Sequence, residues 1–162
     1  MPTRLAIMAA IFCCALTAAS IMYRAYKGKP ILQRNILAPR FFETWCSGRS
    51  DRNLLARFVP AHGVLWVAVT ADTLHASPHI PFNLMFLAEG FGWDHRVPGK
   101  TILDIHETHW SNHRRAVAIR YRHATGDEEL LELGVSDVPG LIKVLTGIRE
   151  EQMSGNASAR KE

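Results

Sequence analysis

The run Leu5–Met22 constrains this chain more than any other feature, because it holds eighteen consecutive residues without a charge or a proline. As a helix at about 1.5 Å per residue it extends roughly 27 Å, just enough for a hydrocarbon core of about 30 Å. Such a run has two fates. Retained, it anchors the rest of the chain at a membrane surface; cleaved as a signal peptide, it releases that chain. Six alanines, Thr17 and Ser20 make it only moderately hydrophobic, and the small residues from Ala15 to Ser20 offer cleavage positions behind Arg4. The charge that follows favours retention. Five basic residues and no acids occupy 23–40, whereas only Arg4 and the terminal amine precede the run. The positive-inside rule then places the flank carrying Arg24, Lys27 and Lys29 in the cytoplasm. The reading adopted is a single uncleaved span in the cell (inner) membrane, N-terminus outside and domain facing the cytoplasm. A secreted or periplasmic domain is the alternative.

The rest of the 162 residues suffices for one ordinary core without disulfide or metal staples. Cys13 and Cys14 lie in the apolar run and Cys46 stands alone, so no disulfide framework exists for the body, in keeping with a reducing compartment. The net charge of +4 is unevenly spread: between Arg24 and Arg57 eight basic residues face only Glu43 and Asp51. Beside a hydrophobic run this suits anionic lipid headgroups better than nucleic acid, and no nucleic-acid partner is expected.

The chain divides into the helix and its basic flank (1–29), a connector interrupted by Pro30 and Pro39 (30–52), a folded domain (53–149) and a frayed polar tail (150–162). Phe41, Phe42 and Trp45 in the connector suit either the headgroup level or one end of the core. The domain reads as mainly β. Leu54–Val59 is expected as a first strand, then Val64–Thr70, which turns through Ala71-Asp72 into Thr73–Ser77. Pro78 to Gly92 is too apolar for a free loop and too broken for a long helix, which predicts a short helical turn or a twisted strand. Trp93–Val97, Thr101–Thr108 and Arg115–His123 follow as strands. Thr125-Gly126-Asp127 turns the chain into a strand with Leu131, Leu133 and Val135 inward. Asp137 then caps a helix whose apolar stripe is Val138, Leu141, Ile142, Leu145 and Ile148.

Roughly seven strands in hairpin order closed by one C-terminal amphipathic helix resemble the pleckstrin-homology superfold, its bacterial and GRAM-like members above all. The likeness rests on Gly63–Thr70 turning into Thr73–Ser77, on Arg96-Val97-Pro98 leading into Thr101-Ile102-Leu103-Asp104-Ile105, on the hairpin around Gly126 and on the helix Val138–Ile148. It implies a half-open β-barrel plugged at one end by the helix, and in many members a lipid- or peptide-binding role. Lipid-binding members carry a Lys/Arg cluster on the loop between the first two strands. The matching loop here, Pro60-Ala61-His62-Gly63, has none.

No residue cluster names a reaction. His106, His109 and His113 are clustered, yet His106-Glu107-Thr108-His109 is not the helical zinc motif, whose two histidines lie four apart on one face, so a metal-dependent enzyme is a lesser alternative and no metal or cofactor is expected. Cys46 has no base in view, Asp127-Glu128-Glu129 is an acidic turn, and Gly90-x-Gly92 is followed by no lysine. Two groups stand out as lipid- or partner-binding candidates. Arg114, Arg115, Arg120 and Arg122 suggest guanidinium groups on one open sheet face. Phe82, Met85 and Phe86 suggest an apolar surface. The expectation is a non-catalytic, membrane-anchored interaction module.

Overall fold

Strands bury one face when apolar side chains recur at every second residue. In the computed structural model of the chain, seven strands pair antiparallel in one sheet. The structure describes residues 2–26, 36, 38–52, 57–79, 82–84, 92–110, 114–123 and 125–159. The strands are β1 (Phe41–Ser50), β2 (Ala61–Val69), β3 (Thr73–Pro78), β4 (His95–Pro98), β5 (Ile102–His109), β6 (Arg115–Arg122) and β7 (Glu128–Gly134). They are preceded by helix α1 (Pro2–Tyr26) and followed by helix α2 (Val138–Ala159). Across the sheet the order is β4-β3-β2-β1-β7-β6-β5. Two meanders are thus joined where β1 pairs with β7, with Ser47 opposite Gly134 and Ser50 opposite Leu131.

Turn chemistry fixes the hairpins. Between β2 and β3 the Thr70 amide donates to the Thr73 carbonyl at 2.9 Å, while the Thr70 hydroxyl donates to the Asp72 carboxylate at 3.1 Å. Between β6 and β7, Gly126 takes φ +97°, a region that disfavours any side chain, and donates its amide to the His123 carbonyl. Strands β2, β6 and β7 supply Leu65, Val67, Val69, Val117, Ile119, Leu131 and Leu133 to a core completed by Leu141, Leu145 and Ile148 of α2. A 3-10 turn (Gly99–Thr101) lies against that helix. A Cβ on Gly99 would sit 3.0 Å from the Ile148 carbonyl oxygen, so a side chain there would press on the helix backbone.

Three expectations are corrected. The residues read as connector supply β1, the strand that joins the two meanders. The alternation that would have revealed it is broken twice, by register shifts between Thr44 and Cys46 and between Cys46 and Gly48. The strand expected at Leu54–Val59 does not form among its described residues: Arg57 and Phe58 are helical, and 53–56 lie outside the described residues. The tail expected to fray from Glu150 instead continues α2 to Ala159. The first added turn is tied down, since Arg40 Nη1 donates to both Glu151 oxygens at 2.8 and 2.9 Å and the Lys100 amide donates to Gln152 Oε1 at 2.9 Å.

Helix α1 contains a span, Arg4–Tyr26, long and apolar enough to cross a membrane, and only 6% of its most apolar window is buried. Its C-terminal end is different. Ser20 and Arg24 are buried, and the helix touches the 3-10 turn Phe82–Leu84. Arg24, expected as a free flanking charge, is 4% exposed and has an interaction partner. Lys27 and Lys29 lie outside the described residues.

Candidate functional site

The two edge strands of the sheet, β4 and β5, are not paired with each other, and a cleft of about 490 Å³ lies between the segments that carry them. Beside it a register shift between Ile102 and Asp104 breaks the regular pairing of β5 next to Tyr121 of β6. Arg96, Pro98, Lys100 and Thr101 line one side, and Tyr121, Arg122 and His123 the other, with Leu103 between. None of these is acidic. Arg96 and Lys100 form no ion pair among the described residues, and Arg122 makes one long contact, 3.4 Å to Glu128.

A buried polar chain holds the cleft's walls together. The Tyr121 hydroxyl donates to Glu129, its neighbour across the β6–β7 ladder. Its proton being so used, the His95 Nδ1–H must be the donor in the 3.1 Å bond to the Tyr121 oxygen. That assigns the imidazole its Nδ1-protonated form and leaves Nε2 a buried acceptor with no hydrogen-bond partner among the described residues. His95 is 1% exposed, and burial, reinforced by Arg52 and His123, pushes its pKa down to about 3. The Tyr121 phenol moves upward, chiefly through burial and then through Glu129. Arg52 braces the group, 3.8 Å from Glu129 and within 3.4 Å of both the Asp94 carbonyl and the His123 ring. His95 lies on β4 and Tyr121 on β6, so this chain draws the two ends of the sheet together.

The four candidate arginines do not share one face. Alternation along β6 puts Arg120 and Arg122 on the face opposite Val117, Ile119 and Tyr121, and Arg115 on the same face as those residues. Arg122 lines the edge cleft. Arg114 and Arg115 instead line a separate groove of about 420 Å³ with Glu43, Trp45 and Trp110, and Arg120 borders neither. Arg115 is also occupied: its Nη2 donates to Glu107 Oε2 at 2.7 Å, and this pair holds the Glu107 carboxyl below its usual range. Beside the second groove, Trp45 takes φ +61° at the β1 bulge, is 67% exposed and stacks on His79 with ring centroids 5.1 Å apart. Of the apolar candidates, Phe82 is half-buried on its 3-10 turn, while Met85 and Phe86 lie outside the described residues.

The remaining sequence candidates separate. His106 and His109 project from opposite faces of β5, bonded to Asp104 at 3.0 Å and lying 4.0 Å from Glu107, and His113 lies outside the described residues. Among the described residues no group of three histidine, cysteine, aspartate or glutamate side chains is placed to hold a metal ion. Cys46 is buried, and desolvation followed by the nearby Glu43 pushes its thiol up to about 12, which keeps it protonated and unreactive. The loop between the first two strands is also not Pro60–Gly63. With β1 at Phe41–Ser50 it becomes 51–60, which contains Arg52 and Arg57.

Sequence reasoning missed Arg96, Lys100 and His95. The available signal was the segment 95–103, which carries two cations and no acid. Only the curl of the sheet brings it beside Arg122. No family model matches the chain, and no curated protein matches it.

Proposed function

We propose that the chain is a membrane-anchored, non-catalytic binding module with a pleckstrin-homology-like fold, its sheet domain facing the cytoplasm and presenting a cationic surface to lipid headgroups. The observation that carries this reading is the pairing of opposites in α1. Leu5, Met8, Ile11 and Phe12 are at least 64% exposed, a cost in water that a bilayer removes, while Ser20 and Arg24 are buried and the helix touches the turn Phe82–Leu84. The anchor is thereby coupled to the domain it positions. The strand order, with two meanders meeting at β1 and β7 and a helix after the last strand, supports the likeness to that superfold. The cleft, with cations and no acid, supports binding of an anion rather than catalysis, since its one buried titratable chain is used in closing the sheet.

The test is extraction of membranes with alkali followed by N-terminal sequencing. The anchor reading expects an intact start, Met1 or Pro2, in the resistant fraction. A mature start near Ile21 would point to signal cleavage and a released domain. Ile11→Arg provides the matching perturbation: a charge near the centre of a span costs about 3 kcal/mol of insertion, so this variant shifts to the soluble fraction.

A further inference from the structure

We infer that the cleft between β4 and β5 is a binding site for a phosphate monoester. The inference deepens the binding role proposed above by naming a ligand class, and it rests on the cleft's geometry, not on the anchor. Arg96 projects from the exposed face of β4, Arg122 from β6 across the gap, and Lys100 from the turn between. Three cationic side chains thus line about 490 Å³ with no carboxylate on the described lining, and of the three only Arg122 has an acid nearby among the described residues, Glu128 at 3.4 Å from outside the cleft. Ordinary exposed arginines are offset by neighbouring acids, as Arg115 is by Glu107 and Arg40 by Glu151. Among the described residues Arg96 and Lys100 have no such offset, which leaves a positive potential that favours an anionic ligand.

The shape of the charge selects the anion. Guanidinium forks match the paired oxygens of carboxylate and phosphate alike, but forks from two opposed walls plus an ammonium need oxygens on several sides of one atom. A tetrahedral dianion has them and a flat carboxylate does not. Pro98 and Leu103 supply apolar wall, and the volume leaves room for an organic group on the ester oxygen. The walls are also set before binding, because the His95–Tyr121 bond beneath them fixes the separation of β4 and β6.

The experiment uses the full chain in a neutral detergent, titrated calorimetrically with inorganic phosphate and with dihexanoyl phosphatidic acid. Saturable binding of both is expected. Arg96→Gln and Arg122→Gln each weaken it by about tenfold or more, the loss of one charge-assisted bond. Arg120→Gln, which removes the same charge from the same sheet outside the cleft, leaves it unchanged. Tighter binding of the phosphatidic acid identifies a lipid headgroup as the source, and equal or weaker binding identifies a soluble phosphate. Absence of saturable binding with unchanged thermal melting, or an equal loss in Arg120→Gln, overturns the inference. The membrane reading fails separately, by release of the chain at alkaline pH.

Discussion

Two long helices bracket the sheet, α1 with 25 residues and α2 with 22, and they solve the burial of apolar side chains in opposite ways. In α2, Val138, Leu141, Leu145 and Ile148 fall on one stripe, and each is at most 1% exposed against the sheet. In α1 the apolar residues run all round the helix, and Leu5, Met8, Ile11 and Phe12 stay exposed. A stripe is matched by a partner surface inside the fold; a fully apolar helix needs an apolar surrounding on every side. The difference teaches that one helix completes the domain core, while the other touches the domain only near its C-terminal end and leaves its apolar window exposed.

Acid should separate the two regions most strongly. Residues Pro2–Tyr26 include no aspartate, glutamate or histidine, whereas the sheet domain encloses His95. In the folded chain His95 protonates only near pH 3, and in the unfolded chain near 6.5. Between those values the unfolded state binds the extra proton, so stability is full above about pH 6.5 and falls as pH drops towards 3. At about 1.4 kcal/mol per pH unit the loss reaches roughly 5 kcal/mol. Denaturation of the detergent-solubilised chain by urea at a series of pH values is expected to show this fall. In His95→Gln it flattens by up to about one proton. Membrane retention of α1 stays constant throughout. Equal slopes in both proteins would remove His95 as the cause.

Truncation makes the comparison residue by residue. Leu145→Ala empties a fully buried site and is expected to lower stability by about 2–5 kcal/mol. Ile11→Ala, on a side chain 64% exposed, should leave the urea midpoint of the sheet domain where it was. A large shift from Ile11→Ala would mean that α1 is part of the domain's own core.

This contrast also explains what the sequence made legible. The stripe of α2 and the strands β2, β6 and β7 follow simple periods, and the structure places them within a few residues of expectation. Strand β1 does not, because Trp45 and the residues around Ser47 sit at register shifts that turn the apolar alternation out of phase. The end of α2 was hidden for another reason. Its polar turns have no stripe, and they are held by Arg40 and Lys100 from distant parts of the chain. The same holds for the cleft. Arg122 was visible as part of a basic strand, but Arg96 and Lys100 join it only through the closure that His95 and Tyr121 make, and no local pattern encodes that meeting.

The smallest effect concerns how each helix begins. The first amides of any helix lack partners within it. In α2 they are met from the protein: the Gly140 amide donates to Asp137 Oδ1 at 2.9 Å, and Glu43 of β1 accepts from the Ser136 amide at 2.6 Å just ahead of the cap. Helix α1 has no acidic residue in its first turn. Asp137→Ala should therefore cost about 1 kcal/mol in urea denaturation, and Asp137→Asn, which keeps an acceptor oxygen, should cost much less. Thr3→Ala at the start of α1 should leave that midpoint unchanged, because α1 contributes little to the sheet's folding. If Asp137→Asn proved as costly as Asp137→Ala, the carboxylate's charge at the helix N-terminus, and not its hydrogen bond, would be the stabilising part. Glu43, still charged beside the same turn, would then be expected to carry part of that effect, and Glu43→Gln would show it as a further loss in the Asp137→Asn background.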